Sequence, residues 1–272
     1  MSWTIYAKSE HETPYIFRLN KRDKELIYFG SPHTNKIEDP IFSRTRELFD
    51  STNPDCVFVE GMSQLEEIKA DSMRYATSIE SVKNMSEAEI VLKYAEPGFG
   101  IKLAIEKGID FYSPEPAFKD QIAYLLEQGF TREEIFVEYV YRQLGQYYRN
   151  NEPLSVEEYL QRIMNEIQSS THWDGFEYTI ENAEMIGRGI WGERADMHKP
   201  DFSVERTDPS PKENGFQTRI TLAAQASSDF RDQYIVGKIE EALMRYNRLF
   251  VIFGASHAYM QRSALEKMFT EM

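Results

Sequence analysis

Four short, mainly apolar runs constrain the fold of this chain more than any other feature. They are "ELIYF" at residues 25–29, "CVFV" at 56–59, "IDFY" at 109–112 and "LFVIF" at 249–253. Runs of this length are typical of strands that are buried on both faces of a sheet. Amphipathic segments lie between them, so the sequence predicts an α/β fold in which a central, largely parallel or mixed sheet is flanked by helices.

The amino-terminal part predicts an antiparallel hairpin. The apolar runs "YIFRL" and "ELIYFG" flank the polar turn "NKRDK", an arrangement typical of two paired strands. The 272 residues, 41% of them hydrophobic, are sufficient for one sizeable core. We therefore expect a single domain over residues 1–272.

The middle of the chain predicts a helical insertion and a long loop. Residues 115–195 have helical patterning throughout, and residues 196–215 contain three prolines and many charges without periodicity. Two helices of the insertion begin with the serine or threonine and glutamate spacing of a capping box, Thr131 with Glu134 and Ser155 with Glu158.

Charge and cysteine content exclude several classes of partner. The 45 acidic and 31 basic residues give a net charge of -14, which repels phosphate backbones and anionic lipid headgroups. We therefore expect no nucleic-acid and no membrane partner. The only cysteine, Cys56, fits a buried strand in a reducing compartment. With no export signal and no apolar run of about 20 residues, a cytoplasmic location is expected.

Polar side chains follow each of the four runs. They are His33 after the first run, Glu60 after the second, Glu115 (with Ser113) after the third, and His257 (with Ser256) after the fourth. The carboxyl ends of parallel strands meet at one edge of a sheet, where ligands of such folds bind. The sequence therefore predicts a functional site at this edge.

The first and last of these strands end in the same motif, Gly-x-x-His. Gly30 precedes His33 by three residues, and Gly254 precedes His257 by three. Because glycine has no Cβ, it permits a sharp turn off the sheet or a close approach of another group. We predict that both glycines are turn positions that bring the two histidines to a common point.

Arg231 is a further candidate because of its place on the helix before the last strand. A helix over residues 231–246 is about 22 Å long and a five-residue strand about 17 Å. If the two run antiparallel, Arg231 lies level with His257. The same spacing also allows a surface arginine paired with Asp229 or Asp232.

Four motifs of the chain resemble the TraB, PrgY and TIKI family of the wider erythromycin esterase and ChaN-like superfamily. They are "LIYFGSPHTN", "CVFVEG", "FRDQYIVGKIEEAL" and "LFVIFGASHAY". The resemblance covers residues 15–62 and 218–268, with weaker similarity at "GIDFYSPEP". It implies a site of Gly30 and His33, Glu60, Arg231, and Gly254 and His257. Pro32, where a more flexible or β-branched residue is common, departs from the family pattern.

The resemblance implies a metal-dependent, peptidase-like hydrolase with manganese or cobalt in the TIKI branch, and a metal-independent esterase in the erythromycin esterase branch. His33, His257 and Glu60 supply two nitrogens and one oxygen that suit a divalent ion, with zinc as a further candidate and Glu115 as a secondary ligand. Without metal, one imidazole activates water, Glu60 orients it and Arg231 stabilises the oxyanion.

The leading hypothesis is a hydrolase that cleaves an amide or ester of a peptide or small-molecule substrate with activated water. A non-enzymatic haem-binding or peptide-binding protein is the first rival, and a structural partner protein whose histidines have no function is the second. A homo-oligomer is left open. The remaining histidines are ranked lower. His11 lies in a polar turn and His198 in the charged loop, where a solvated role is the default, and His172 could reach the site from the insertion, but nothing in its spacing requires this.

Overall fold

The computed structural model describes residues 11–61, 82–150, 154–198, 207 and 218–272. Its centre is a five-stranded mixed sheet with the strand order β1-β2-β5-β3-β4. The strands are β1 (Tyr15–Lys21), β2 (Lys24–Ser31), β3 (Cys56–Val59), β4 (Asp110–Tyr112) and β5 (Arg248–Gly254).

The strand pairing confirms the predicted sheet. β5 lies parallel to both β2 and β3, β4 pairs in parallel with β3, and β1 pairs with β2 as the expected antiparallel hairpin. In the register, Gly30 lies opposite Phe253, and Val59 lies opposite Ile252. The carboxyl ends of β2, β5 and β3 are therefore level, which places the residues after them at one edge.

The described residues form eight α-helices and one short 3₁₀-helix, Gly192–Ala195. The α-helices are α1 (Pro40–Thr52), α2 (Glu87–Lys107), α3 (Phe118–Glu127), α4 (Arg132–Asn150), α5 (Val156–Thr171), α6 (Ile180–Trp191), α7 (Arg219–Arg245) and α8 (Ala255–Glu271). Both expected capping boxes are present, at Thr131 with Glu134 and at Ser155 with Glu158.

The sheet is buried on both faces, as its apolar strands require. On one face, Phe29, Val59 and Ile252 pack in a cluster with side chains of α1 and α2. On the other, Tyr28 and Phe253 pack in a cluster with side chains of α7 and α8. Successive residues of β2 and of β5 thus face opposite sides of the sheet, as the alternation of side chains along a strand requires.

The chain divides into two compact units, Met1–Pro116 with Arg231–Met272, and Ala117–Phe230. The second unit contains the region predicted as a helical insertion, except for Glu115 and Pro116. It has a hydrophobic core of its own, which includes the completely buried Phe136 and Val140. The loop predicted at 196–215 lies mainly outside the described residues.

Cys56 is completely buried in β3, which agrees with its interpretation as a small strand residue. Within the described ranges, no helix combines the length and the apolarity needed to cross a membrane.

Candidate functional site

His33 lies in the loop that follows β2 and has a left-handed backbone conformation, with φ of 61°. The Ser31 hydroxyl oxygen accepts a hydrogen bond from the His33 amide at 3.1 Å. The imidazole is 58% exposed, so a substrate can reach it from solvent.

His257 differs from His33 although both belong to a Gly-x-x-His motif. β5 ends at Gly254 and α8 begins at Ala255, so His257 lies in the first turn of a helix rather than in a loop. Its side chain is 9% exposed, and its Nδ1 atom lies 2.6 Å from Asp232 Oδ1. Because Nδ1 is held by this carboxylate, Nε2 points to the other side of the ring, towards Glu60.

Glu60 is the centre of the site and follows β3 directly. Its Oε1 lies 3.5 Å from His257 Nε2, and its Oε2 lies 3.8 Å from His33 Nε2. The backbone amide of Gly254 donates a hydrogen bond of 2.6 Å to Oε2. Two histidines from different strand ends thus face the two oxygens of one carboxylate.

The two motif glycines are required for close packing. A Cβ atom on Gly254 would lie 2.6 Å from His33 Nε2 and 3.3 Å from Glu60 Oε2. A Cβ atom on Gly30 would lie 2.6 Å from the carbonyl oxygen of Tyr15. Both glycines have a negative or extended φ, so the need is for space and not for a left-handed turn.

Arg231 lies within reach of Glu60, close to where the length argument predicts it. Its Nη2 is 3.6 Å from Glu60 Oε1. Its Nε and Nη2 donate hydrogen bonds of 3.0 and 2.7 Å to the two carboxylate oxygens of Glu115. Both oxygens of Glu115, considered from the sequence as a secondary metal ligand, therefore bind the guanidinium.

A buried hydrogen-bond chain behind His257 was missed by the sequence analysis. The Gln261 side-chain amide donates 2.7 Å to Asp232 Oδ1, and the Tyr28 hydroxyl donates 2.9 Å to Gln261 Oε1. Gln261 lies four residues after His257 on α8, and Asp232 directly follows Arg231 on α7. The i,i+4 spacing of His257 and Gln261 was an available signal, but their shared partner on another helix was not.

Glu96 is a second residue that the sequence analysis missed. It is completely buried at a break in α2, and its Oε1 accepts a hydrogen bond of 2.6 Å from the Thr34 amide, next to His33. Its Oε2 has no hydrogen-bond partner among the described residues. Glu96 therefore fixes the loop that carries His33.

The charges of the site shift the pKa values of its groups. Burial would raise the pKa of Glu60, but His257, Arg231 and His33 lower it to about 2, so Glu60 is ionised at neutral pH. Burial would lower the pKa of His257, but the Asp232 and Glu60 carboxylates outweigh it and raise that pKa. His257 therefore favours the imidazolium form.

The donor set of His33, Glu60 and His257 has the atom types that suit a divalent ion. The separations between the imidazole nitrogen and the nearer Glu60 oxygen are 3.5 Å for His257 and 3.8 Å for His33. In the described part of the chain, no group of three or more histidine, cysteine, aspartate and glutamate side chains is arranged as a metal site.

The lower-ranked histidines have other partners or backbone roles. His172 caps the carboxyl end of α5 with φ of 46°, and His198 lies 3.4 Å from Glu157. His11 stacks on Tyr259 with the ring centroids 4.9 Å apart.

Comparison of the chain with family models, with curated proteins and with solved structures yields no match.

Proposed function

We propose that this protein is a hydrolase that cleaves an amide or ester bond by attack of water. One observation carries the proposal: the Nε2 atoms of His33 and His257 lie 3.8 and 3.5 Å from the two oxygens of Glu60. A half-exposed imidazole beside a fixed carboxylate, with His257 buried and Arg231 largely buried next to it, is an arrangement suited to activating water and stabilising negative charge.

The exposed imidazole is the general base in this proposal. His33 Nε2 removes a proton from water, and the water oxygen bonds to the carbonyl carbon of the substrate. Glu60 stabilises the imidazolium that forms on His33. When the tetrahedral intermediate collapses, the bond to the leaving group breaks and His33 returns the proton to that group.

The cationic side of the site stabilises the oxyanion. His257 favours the imidazolium form because Asp232 and Glu60 flank it, and Arg231 is held by Glu115. Since these groups are fixed before the substrate binds, they lose little energy through reorientation during the reaction. The roles of Glu115 and Asp232 are to position Arg231 and His257.

A metal-dependent form of the same reaction is the second candidate. The convergence of two imidazole nitrogens on one carboxylate supports it, as does the resemblance to the TraB, PrgY and TIKI family. His33, Glu60 and His257 would hold manganese, cobalt or zinc, which would supply an acidified water as nucleophile. The Arg231 guanidinium, 3.6 Å from Glu60 Oε1, favours the metal-independent form because it competes with a cation for that oxygen.

The test is hydrolysis of a panel of p-nitrophenyl esters and fluorogenic peptide amides by the purified protein. We expect His33→Asn, Glu60→Gln and His257→Asn each to lower kcat/KM by about 10²–10⁴-fold. His172→Asn is the matched control, because asparagine tolerates the left-handed cap position. Equal rates in all four variants and the wild type would contradict the proposal.

A metal-chelation arm separates the two forms. Activity that survives EDTA supports the metal-independent form. Activity that is lost with EDTA and restored by manganese, cobalt or zinc supports the metal-dependent form. A visible Soret band on haem titration, with no substrate of the panel cleaved, would instead support a haem-binding protein.

A further inference from the structure

A pocket with aromatic walls lies between β4 and the carboxyl-terminal part of α7. Phe58 and Tyr112 line it on the side of the sheet, and Tyr234 and Tyr246 line it on the other side. The hydroxyl groups of Tyr112 and Tyr246 lie 3.2 Å apart and tie the two walls together. Four aromatic side chains around one space favour an aromatic occupant.

The size of the pocket agrees with one ring. Its volume is about 120 Å³, comparable with the cavities of about 150 Å³ that admit benzene. The pocket therefore has space for a single ring, and it is partly open to solvent.

The charges of the lining favour an anion on that ring. Lys238 and Arg245 line the pocket, whereas Glu241 is the only carboxylate among the described residues of its lining. Glu241 lies 2.8 Å from Lys238, while Arg245 is exposed and has no ion-pair partner within the described ranges. Asp110, outside the lining, accepts a hydrogen bond from Tyr246. The net charge of -14 repels anionic ligands from the chain as a whole. At this pocket, the Arg245 guanidinium provides a local positive charge that attracts them.

The pocket adjoins the candidate site. Tyr234 follows Arg231 by three residues on α7, a rise of about 4.5 Å. Pro114, which also lines the pocket, directly precedes Glu115, the carboxylate partner of Arg231. The end of the pocket that Tyr234 and Pro114 line is thus one helical turn from the groups that face Glu60.

We propose that this pocket binds an aromatic carboxylate, with the ring between the tyrosines and the carboxylate facing Arg245. Its role as the subsite for an aryl part of the substrate rests on the proposed hydrolase function. The binding itself does not, because none of the pocket residues belongs to the proposed catalytic group.

The test uses 3-phenylpropionate as an unreactive probe of the full-length protein, with binding measured by saturation-transfer NMR and titration. We expect saturable binding that is about tenfold weaker in Tyr234→Ala, which loses one aromatic wall. Arg245→Gln should weaken binding of the acid about threefold but leave the neutral 3-phenylpropionamide unchanged. Arg44→Gln, at an exposed helical arginine of α1, is the matched control and should bind both probes like the wild type.

The proposal would be overturned if the wild type shows no saturable binding. Equal affinities in Tyr234→Ala, Arg245→Gln and the wild type would also overturn it. Thermal unfolding of each variant shows whether the fold is retained. His257→Asn should bind the probe normally. If probe binding depends on Tyr234 but no panel substrate is hydrolysed, the proposed binding pocket is supported and the proposed hydrolase function is contradicted.

Discussion

At the scale of single residues, the two Gly-x-x-His motifs reach one point by different backbones. His33 lies in a loop with a left-handed φ, whereas His257 lies in the first turn of α8. Gly254 belongs to the second motif, yet its missing side chain leaves the space that the ring of the first motif fills. The motifs are therefore complementary and not merely repeated.

We predict that Gly254→Ala impairs the site more than the fold. The new methyl group would lie 2.6 Å from His33 Nε2, the mobile end of a half-exposed side chain, so the ring moves away from Glu60. The backbone at Gly254, with φ of -57° and ψ of 147°, suits alanine. We expect kcat/KM to fall at least about tenfold while the free energy of unfolding changes by less than about 1 kcal/mol.

Gly237→Ala is the control for this substitution. A Cβ atom there meets no heavy atom within 4 Å, and the residue lies inside α7. We expect unchanged activity and a gain in stability of up to about 1 kcal/mol, because alanine is the better helix former. Equal losses of activity in the two variants would show that the site does not depend on the space at Gly254.

The raised pKa of His257 predicts how activity depends on pH. If the His257 imidazolium stabilises the oxyanion, activity falls as the pH rises through this pKa, which lies above the usual value of about 6.5. Asp232→Asn removes one of the two carboxylates that raise the pKa, so the alkaline limb should move to lower pH. The pH profile of kcat/KM and NMR titration of His257 measure the shift.

The raised pKa of His257 also predicts how the free energy of unfolding depends on pH. A histidine whose pKa is raised on folding stabilises the protein fully below its unfolded pKa, and this contribution is lost as the pH rises through the folded value. Stability measured from pH 6 to 9 should therefore decline less steeply in Asp232→Asn than in the wild type.

The outcome that would contradict the predicted pH dependence of activity is also clear. Activity that rises with pH through the His257 titration would identify His257 as a neutral base.

At the scale of elements, a break in helix α2 supports the loop that follows strand β2. Ala95, inside α2, has φ of 51° and ψ of -146°, and Pro97 follows two residues later. The break turns Glu96 inward, where its carboxylate binds the amide of Thr34. This bond anchors the loop after β2 next to His33.

We predict different effects for two substitutions of Glu96. Glu96→Ala leaves the Thr34 amide without an acceptor, so we expect a loss of about 1–3 kcal/mol in the free energy of unfolding and lower activity. Glu96→Gln retains a carbonyl oxygen for this bond and should be close to the wild type in both respects. Denaturant unfolding and the hydrolysis assay check the pair. If glutamine is as harmful as alanine, an acceptor for the Thr34 amide is not sufficient, and the role that we assign to this hydrogen bond is wrong.

The elements were largely predictable from the sequence, but the contacts of the site only in part. The apolar runs predicted β2, β3, β4 and β5, because strands buried on both faces leave a local signature. The partners of Asp232 and Glu96 could not be predicted, since each binds a residue distant in sequence and the packing of separate helices decides which atoms meet. For the same reason, the sequence could not predict that Glu115, a candidate secondary metal ligand, accepts hydrogen bonds from Arg231.

At the scale of the whole molecule, the chain consists of two compact units with different roles. The sheet unit contains His33, Glu60, Arg231 and His257, together with every residue that lines the aromatic pocket. The unit Ala117–Phe230 is stabilised by its own cluster of buried side chains. The proposed chemistry therefore requires only residues of the first unit.

We predict that the two cores respond separately to cavities. Leu144→Ala truncates a buried side chain of the second unit and Ile252→Ala one of the sheet, and each should cost about 2–5 kcal/mol in its own unit. Measured by hydrogen exchange, Leu144→Ala should speed exchange of amides within 117–230 and leave those of β2 and β5 unchanged, and Ile252→Ala should do the reverse. Faster exchange throughout the chain in both variants would show a single cooperative unit, in which case damage to the second core would also weaken the site.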